Sequence, residues 1–233
     1  MSKQIISPVI CPACRQTGDL FLVNCRYCGN VLRDRVPNID LGEIVLRIID
    51  SPSAAFAAII FSEKKNYVIP LVILLSIKNS IMYQAVDAVL FGREYFKFGE
   101  IQFVFLSLTA SIISASSIFG LIMKITKKRL QIKQIGAAIL YAQIPVIFAF
   151  AALFIPEFVI FGKYIFYKNP TIFLIHPFFA YFFLVIESGF YMWAFALTIL
   201  ACAHFFNRKV LIIIAAVFFF VMIHFVPFLI HTK

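Results

Sequence analysis

The feature that most limits how this chain can fold is a series of five apolar segments in its last 170 or so residues. Each has the roughly 20 residues that an α-helix needs to cross about 30 Å of hydrocarbon. Over the whole chain 62% of the residues are hydrophobic and 14% are charged, against about 45–50% and about 25% in soluble domains. The pattern predicts an all-α membrane protein with a five-helix transmembrane bundle. The predicted spans are 67–90, 101–123, 135–155, 176–205 and 210–230.

The lysines and arginines that flank these segments predict the orientation of the bundle, because positive residues concentrate in cytoplasmic loops. One side carries Lys64, Lys65, Lys124, Lys127, Lys128, Arg129, Lys133, Arg208 and Lys209, and the other carries Arg93, Lys97, Lys163, Lys168 and Lys233. The imbalance predicts a multi-pass protein of the cytoplasmic (inner) membrane, with the N-terminus in the cytosol and the C-terminus outside. The net charge of +10 is then explained by contact with anionic lipid, so no nucleic-acid partner is expected.

Four cysteines near the start form two pairs, Cys11/Cys14 and Cys25/Cys28. A turn with two intervening residues can direct both sulfurs at one ion, and two such turns complete a tetrahedral zinc site. Gly29, directly after the second pair, permits the positive φ that such turns often need. A redox pair and two disulfides are the alternatives, but a redox motif needs no second pair. We therefore predict a structural Zn²⁺ with all four positions filled by protein and none left for catalysis.

Three parts of the chain follow from these patterns: a zinc ribbon over 1–38, juxtamembrane helices over 39–66 and the membrane domain over 67–233. The first helix is amphipathic, and a second, after Ser51 and Pro52, is too short to span a bilayer. The apolar stripe of the first helix consists of Leu41, Ile44, Val45 and Ile48. We expect the pair to lie in the cytosolic interface, and the alternative is a small soluble core packed on the ribbon.

Ionisable residues inside the predicted spans are candidates for function, since an unpaired charge there costs a few kcal/mol. Lys78 and Glu187 each lie eleven residues into their spans, from opposite sides, and so at about the same depth. We predict an ion pair between them. Asp87 and His224 are further polar residues in the spans, and the alternative for all four is that they hold helices together. No G-x-S-x-G or H-E-x-x-H pattern occurs, so the chain is not expected to be an enzyme.

The segments R-I-I-D-S-P-S-A-A-F (47–56) and A-A-I-L-Y-A-Q-I-P (137–145), together with the region around Trp193 and Ala194, resemble the bacterial branch of the Yip1-domain family. Some bacterial members of that family carry a zinc ribbon in front. The resemblance implies a membrane organiser or accessory subunit. The D-L-Y-G-P-type signature of the eukaryotic members is absent, so binding of small GTPases is not implied.

Two functions fit these observations. The first is a non-enzymatic membrane scaffold or adaptor that docks a protein partner through its ribbon or its helix bundle. The alternative is a subunit of a membrane transporter that uses the intramembrane charges. No inverted repeat or pair of broken helices is visible in the sequence, which favours the scaffold.

Overall fold

The N-terminal part of the chain is built from two cysteine turns, and the remainder is helical. The computed structural model describes residues 9–18, 24–32, 39–62, 64–92, 99–125, 132–206 and 208–231. In the ribbon, β1 (Val9–Ile10) pairs antiparallel with β2 (Thr17–Gly18), and a single bridge joins Asn24 to Val31. The helices that follow are α1 (Leu41–Asp50), α2 (Pro52–Phe61), α3 (Val68–Phe91), α4 (Gly99–Ile125), α5 (Ile132–Tyr141), α6 (Ile144–Phe161), α7 (Ile172–Ile175), α8 (Pro177–Ala203), α9 (Lys209–His224) and α10 (Val226–His231).

Five helical stretches of the described chain are long and apolar enough to cross a membrane, which confirms the predicted five-helix bundle. They cover 68–91, 101–122, 132–166, 177–203 and 209–229. The third is 35 residues long because α6 continues to Phe161 and leads into a 3₁₀ helix, Gly162–Phe166. The span predicted from the sequence ends at 155. That boundary was wrong, because the apolar run continues beyond Pro156.

Helix α3 is the most enclosed of the five spans. Half of its most apolar 18-residue stretch is buried inside the protein, against 22–33% of the corresponding stretch in the other four spans. Its buried face carries polar residues, among them Lys78, Asn79 and Gln84. Helix α3 packs against α4, α5 and α6, so these polar groups face protein and not lipid. Large apolar side chains on the outer surfaces of the bundle, such as Val159, Val185 and Met192, are exposed and could contact a bilayer.

The juxtamembrane helices pack on the membrane bundle. Asp40 caps α1 by accepting a hydrogen bond from the backbone N–H of Glu43 at 3.0 Å, and Glu43 pairs with Arg47 at 2.5 Å. Helix α2 lies against α5 and α8, and the ring of Phe56 is fully buried there. His204, just after α8, donates a hydrogen bond to the carbonyl of Ser53 at 3.0 Å. Helix α2 is therefore part of the core at this end of the bundle.

Two of the spans are interrupted. The third breaks at Ala142–Gln143, between α5 and α6, and the fifth breaks at Phe225, between α9 and α10. A proline follows each break closely, as Pro145 and Pro227, and proline has no N–H to continue the helical hydrogen bonds. The sequence had suggested no pair of broken helices, and this expectation was wrong. Pro145 and Pro227 lie in largely apolar segments, where a proline by itself does not show whether the helix is interrupted.

Candidate functional site

The two cysteine turns of the ribbon have the same backbone design. In the first, the N–H of Cys11 donates to the carbonyl of Gln16 at 3.0 Å, and in the second, the N–H of Cys25 donates to the carbonyl of Asn30 at 2.8 Å. Equivalent positions after each pair have positive φ, with 56° at Arg15 and 73° at Gly29. The glycine was expected from the sequence. The arginine was not, because a non-glycine residue in this conformation carries no signal in its side chain.

The four sulfur atoms converge on one point. All four lie within 4.8 Å of one another, and the closest pairs, Cys11 with Cys28 and Cys14 with Cys25, are 3.5 Å apart. These distances are far longer than a disulfide bond of about 2 Å, and the four cysteines are free thiols. The cluster could hold a metal ion with four protein ligands.

The backbone of each turn also favours the deprotonated sulfur that binds metal. Backbone N–H groups of Cys28 and then Tyr27 lower the pKa of the Cys25 thiol to about 6. The backbone at Cys14 likewise lowers the pKa of Cys11. Backbone N–H groups in both turns thus favour the formation of thiolates in the cluster.

The matched positions after the two pairs give a testable contrast. Replacing Gly29 with alanine should weaken metal binding about fivefold, because the left-handed conformation costs a residue with a Cβ about 1 kcal/mol. No atom lies within 4 Å of where that Cβ would be, so the loss would come from the backbone alone. Arg15→Gly should change affinity little, since relief of strain offsets the added chain entropy. Chelator competition on the intact protein measures both, and equal weakening by the two substitutions would contradict this account.

A second cluster of polar groups lies inside the bundle, where the two helix breaks meet. The ring Nε2 of His224 donates to Oε1 of Gln143 at 3.0 Å, which joins the end of α9 to the break between α5 and α6. The amide nitrogen of Gln143 donates to Oγ1 of Thr198 on α8 at 3.2 Å. We call Asn79, Tyr83, Gln143, Thr198 and His224 the break cluster.

Residues of α3 satisfy the carbonyls that the second break leaves free. Pro227 cannot donate to the carbonyl of Ile223, and the side-chain amide of Asn79 donates to it instead, at 3.4 Å. The hydroxyl of Tyr83 donates to the carbonyl of His224 at 2.8 Å. Within a bilayer no water replaces such bonds, so side chains of a neighbouring helix must supply them.

The break cluster retains unused hydrogen-bonding capacity. Among the described residues, Oδ1 of Asn79 and Nδ1 of His224 are buried and have no hydrogen-bond partner. Of the cluster, the sequence analysis had singled out only His224. The proline that follows Gln143 by two residues could have pointed to the first break, but nothing in the sequence shows that Asn79 reaches α9.

Lys78 reaches α8 but binds a residue that was not predicted. It is 1% exposed, and its ammonium donates to the hydroxyl of Tyr191. Glu187 lies one helical turn before Tyr191 and interacts electrostatically with Lys78. No ion pair within 4.0 Å joins the two charges in the described part of the chain. The pairing of Lys78 with Glu187 therefore stays a prediction.

Glu187 also faces a second carboxylate. It lines a cavity of about 240 Å³ together with Glu157 of α6, and the two acidic groups interact electrostatically. The rest of the wall is apolar and comes from α3, α6, α7 and α8, with Phe161 and Phe183 among its residues. The two carboxylates of the cavity, Lys78 and the break cluster thus follow one another through the bundle. Lys78 binds Tyr191, and the ring of Tyr191 lies 5.2 Å from that of His224 in the break cluster.

The chain has no detected relative among family models, curated proteins or solved structures.

Proposed function

We propose that the protein is a non-enzymatic membrane scaffold or adaptor whose N-terminal zinc ribbon docks a protein partner. The observation that carries the proposal is the apolar surface of the ribbon. Ile10, Tyr27 and Val31 are exposed by 62%, 71% and 60% in a segment that otherwise presents mainly polar side chains. Exposed aromatic and aliphatic residues on one small domain are the side chains that form the centre of protein–protein interfaces.

Zinc is the metal that best fits the cysteine cluster. Four thiolates in tetrahedral geometry with bonds of about 2.3 Å place the sulfurs about 3.8 Å apart, within the range that the ribbon presents. Soft sulfur ligands without histidine or carboxylate favour zinc over magnesium or calcium. A closed set of four protein ligands supports a structural role.

The proposal includes a cytosolic N-terminus and a relationship to the bacterial Yip1-domain family. A ribbon of reduced thiols on the cytosolic side of the inner membrane agrees with the excess of Lys and Arg on that side. The five spans preceded by short helices agree with the resemblance to the bacterial Yip1-domain family. A scaffold of this type would present its docking surface to the cytosol while the bundle holds it at the membrane.

The proposal is tested by identifying what co-purifies with the intact protein in mild detergent. Tyr27→Ser should reduce partner recovery at least tenfold, because it removes the largest exposed apolar side chain while leaving all four ligands in place. Arg26→Ser, at the adjacent exposed position, is the matched control and should retain the partner. Recovery of the same proteins at the same level from all three forms would refute docking through this surface.

The break cluster favours a second function, which is transport. Two interrupted spans that meet at unused polar groups are the arrangement by which transporters bind ions or solutes at the midplane. In proteoliposomes that contain a pH-sensitive dye, a proton-coupled carrier would give a flux that Gln143→Leu abolishes and Tyr27→Ser leaves intact. Absence of flux with the unmodified protein would count against this function and leave the scaffold proposal unaffected.

A further inference from the structure

A cavity of about 480 Å³ lies between α3, α4 and α5. Its wall is almost entirely apolar, with residues such as Val72, Phe105 and Ile112. Ile69 and Ile113, which also line it, belong to the exposed outer surface of the bundle. The cavity is therefore a groove that opens sideways to the hydrocarbon, and we call it the α3–α5 groove.

The length of the groove matches one leaflet of a bilayer. The α4 residues that line it run from Phe105 to Ser116, which at 1.5 Å per residue is about 16 Å. Half of a hydrocarbon core of about 30 Å is about 15 Å. An acyl chain in the groove would thus find a path about as long as one leaflet, whose far end lies past the middle of the 101–122 span.

One end of the groove is positively charged. Lys65, just before α3, and Lys133, in the first turn of α5, both line it. The ammonium of Lys65 already donates to the carbonyls of Ile60 and Ser62 at 2.9 Å, at the end of α2. The side chain of Lys133 is exposed. At the end of the groove that faces the juxtamembrane helices, Lys65 is thus fixed by hydrogen bonds and Lys133 is accessible.

These two cations repel each other in a partly buried place. Burial first and then the charge of Lys133 lower the pKa of Lys65 to about 8. An anion between them would remove this repulsion. Further inside, Oγ of Ser116 is 1% exposed and has no hydrogen-bond partner within the described residues, so a polar group on the ligand would find a donor there.

We propose that the α3–α5 groove binds one anionic phospholipid, with its headgroup at Lys65 and Lys133 and one acyl chain along α4. The apolar wall, the opening to the hydrocarbon and the length of one leaflet match the acyl chain. The two lysines match the charge of the headgroup, and they stand at the interface end of the groove where a headgroup lies. The site is separate from both the ribbon and the break cluster, so it does not depend on the function proposed above.

Native mass spectrometry of the intact protein in detergent tests this site with two probes, phosphatidylglycerol and phosphatidylcholine of identical chains. The unmodified protein should retain one phosphatidylglycerol per chain, with phosphatidylcholine bound at least tenfold more weakly. Lys133→Gln should weaken phosphatidylglycerol about fivefold, since one lysine near an anionic lipid contributes about that factor. Lys163→Gln, at an exposed lysine near the other end of the bundle, should have no effect.

A second pair of variants tests the groove itself. Thr109→Phe would fill the groove and should lower lipid occupancy to background. The hydroxyl of Thr109 donates to the carbonyl of Phe105 in its own helix. That carbonyl is also an acceptor in the helical backbone, so loss of the hydroxyl should not leave it without a hydrogen bond. Ile118→Phe, on the exposed side of α4, is the control and should bind as the unmodified protein does.

Several outcomes would overturn the proposal. Equal retention of the two lipids, or full retention by a folded Thr109→Phe protein, would show that the groove does not hold the chain. Displacement of phosphatidylglycerol by inorganic phosphate would show that only the charge is recognised. If Thr109→Phe did not fold, the exposed Lys133→Gln variant would still decide, because unchanged affinity in that variant contradicts the headgroup site.

Discussion

Cys11→Ser should release the metal and unfold the ribbon while the helix bundle remains intact. Among the described residues of the ribbon, 9–18 and 24–32, only Cys11 and Cys25 are buried, so this part of the domain contributes no apolar core. Structural zinc contributes about 10–16 kcal/mol in small zinc domains, whereas the core of so small a domain supplies no more than about 3–5 kcal/mol. Loss of one ligand therefore removes the main source of folding free energy.

Metal analysis and limited proteolysis of the intact protein in detergent measure this effect. We expect one zinc per chain before substitution and none after it, with rapid new cleavage at Arg15 and Arg26, which lie in the two cysteine turns. Cys202→Ser is the matched control, because that cysteine is buried in α8 and takes no part in the cluster. A Cys11→Ser protein that still holds one zinc and resists the protease would show that the ribbon does not depend on the metal.

Lys78→Glu should cause the largest loss of folded protein among single substitutions in the spans. It would place a carboxylate in a fully enclosed position, in addition to Glu187 and Glu157, and remove the donor to Tyr191. An unpaired charge at that depth costs about 3 kcal/mol or more, which corresponds to roughly a hundredfold change in the ratio of folded to unfolded protein. The amount of monodisperse protein recovered in detergent is the measurement.

The double substitution Lys78→Glu with Glu187→Lys decides whether the two charges act as a pair. If they do, the double variant should recover much of the lost protein, and Tyr191→Phe should cost less than either single charge reversal. Losses that simply add would assign each charge to a different partner. Lys163→Glu, at an exposed position near the end of its span, is the control and should be close to neutral.

The parts of this structure that the sequence predicts are those with a local signal. The spacing of the cysteines was enough for the ribbon, since both turns are complete within six residues each. The length of the apolar runs placed α3 and α8 within a few residues of their observed ends. The apolar stripe of α1 was likewise partly correct, because Ile44 and Ile48 are its buried residues.

The parts that could not be predicted depend on which helix faces meet. Depth along the membrane predicted that Lys78 pairs with Glu187, which stays a prediction, whereas in the structure the ammonium donates to the hydroxyl of Tyr191. Asn79 and Gln143 look like isolated amides in apolar runs. Their roles appear only when α3 is placed beside the end of α9, because the carbonyl that Asn79 satisfies belongs to a residue 144 positions away. The α3–α5 groove is likewise formed by residues of three helices, and no motif in the sequence indicates it.

The two interrupted spans have a mechanical consequence. Each break is a place where a helix can bend, since Pro145 and Pro227 each remove one backbone donor from the regular series of hydrogen bonds. The hydrogen bond between Gln143 and His224 ties one break to the other, and Asn79 and Tyr83 tie the second to α3. The parts of the third and fifth spans that follow the breaks are thus connected through these hydrogen bonds, and we expect them to tilt together.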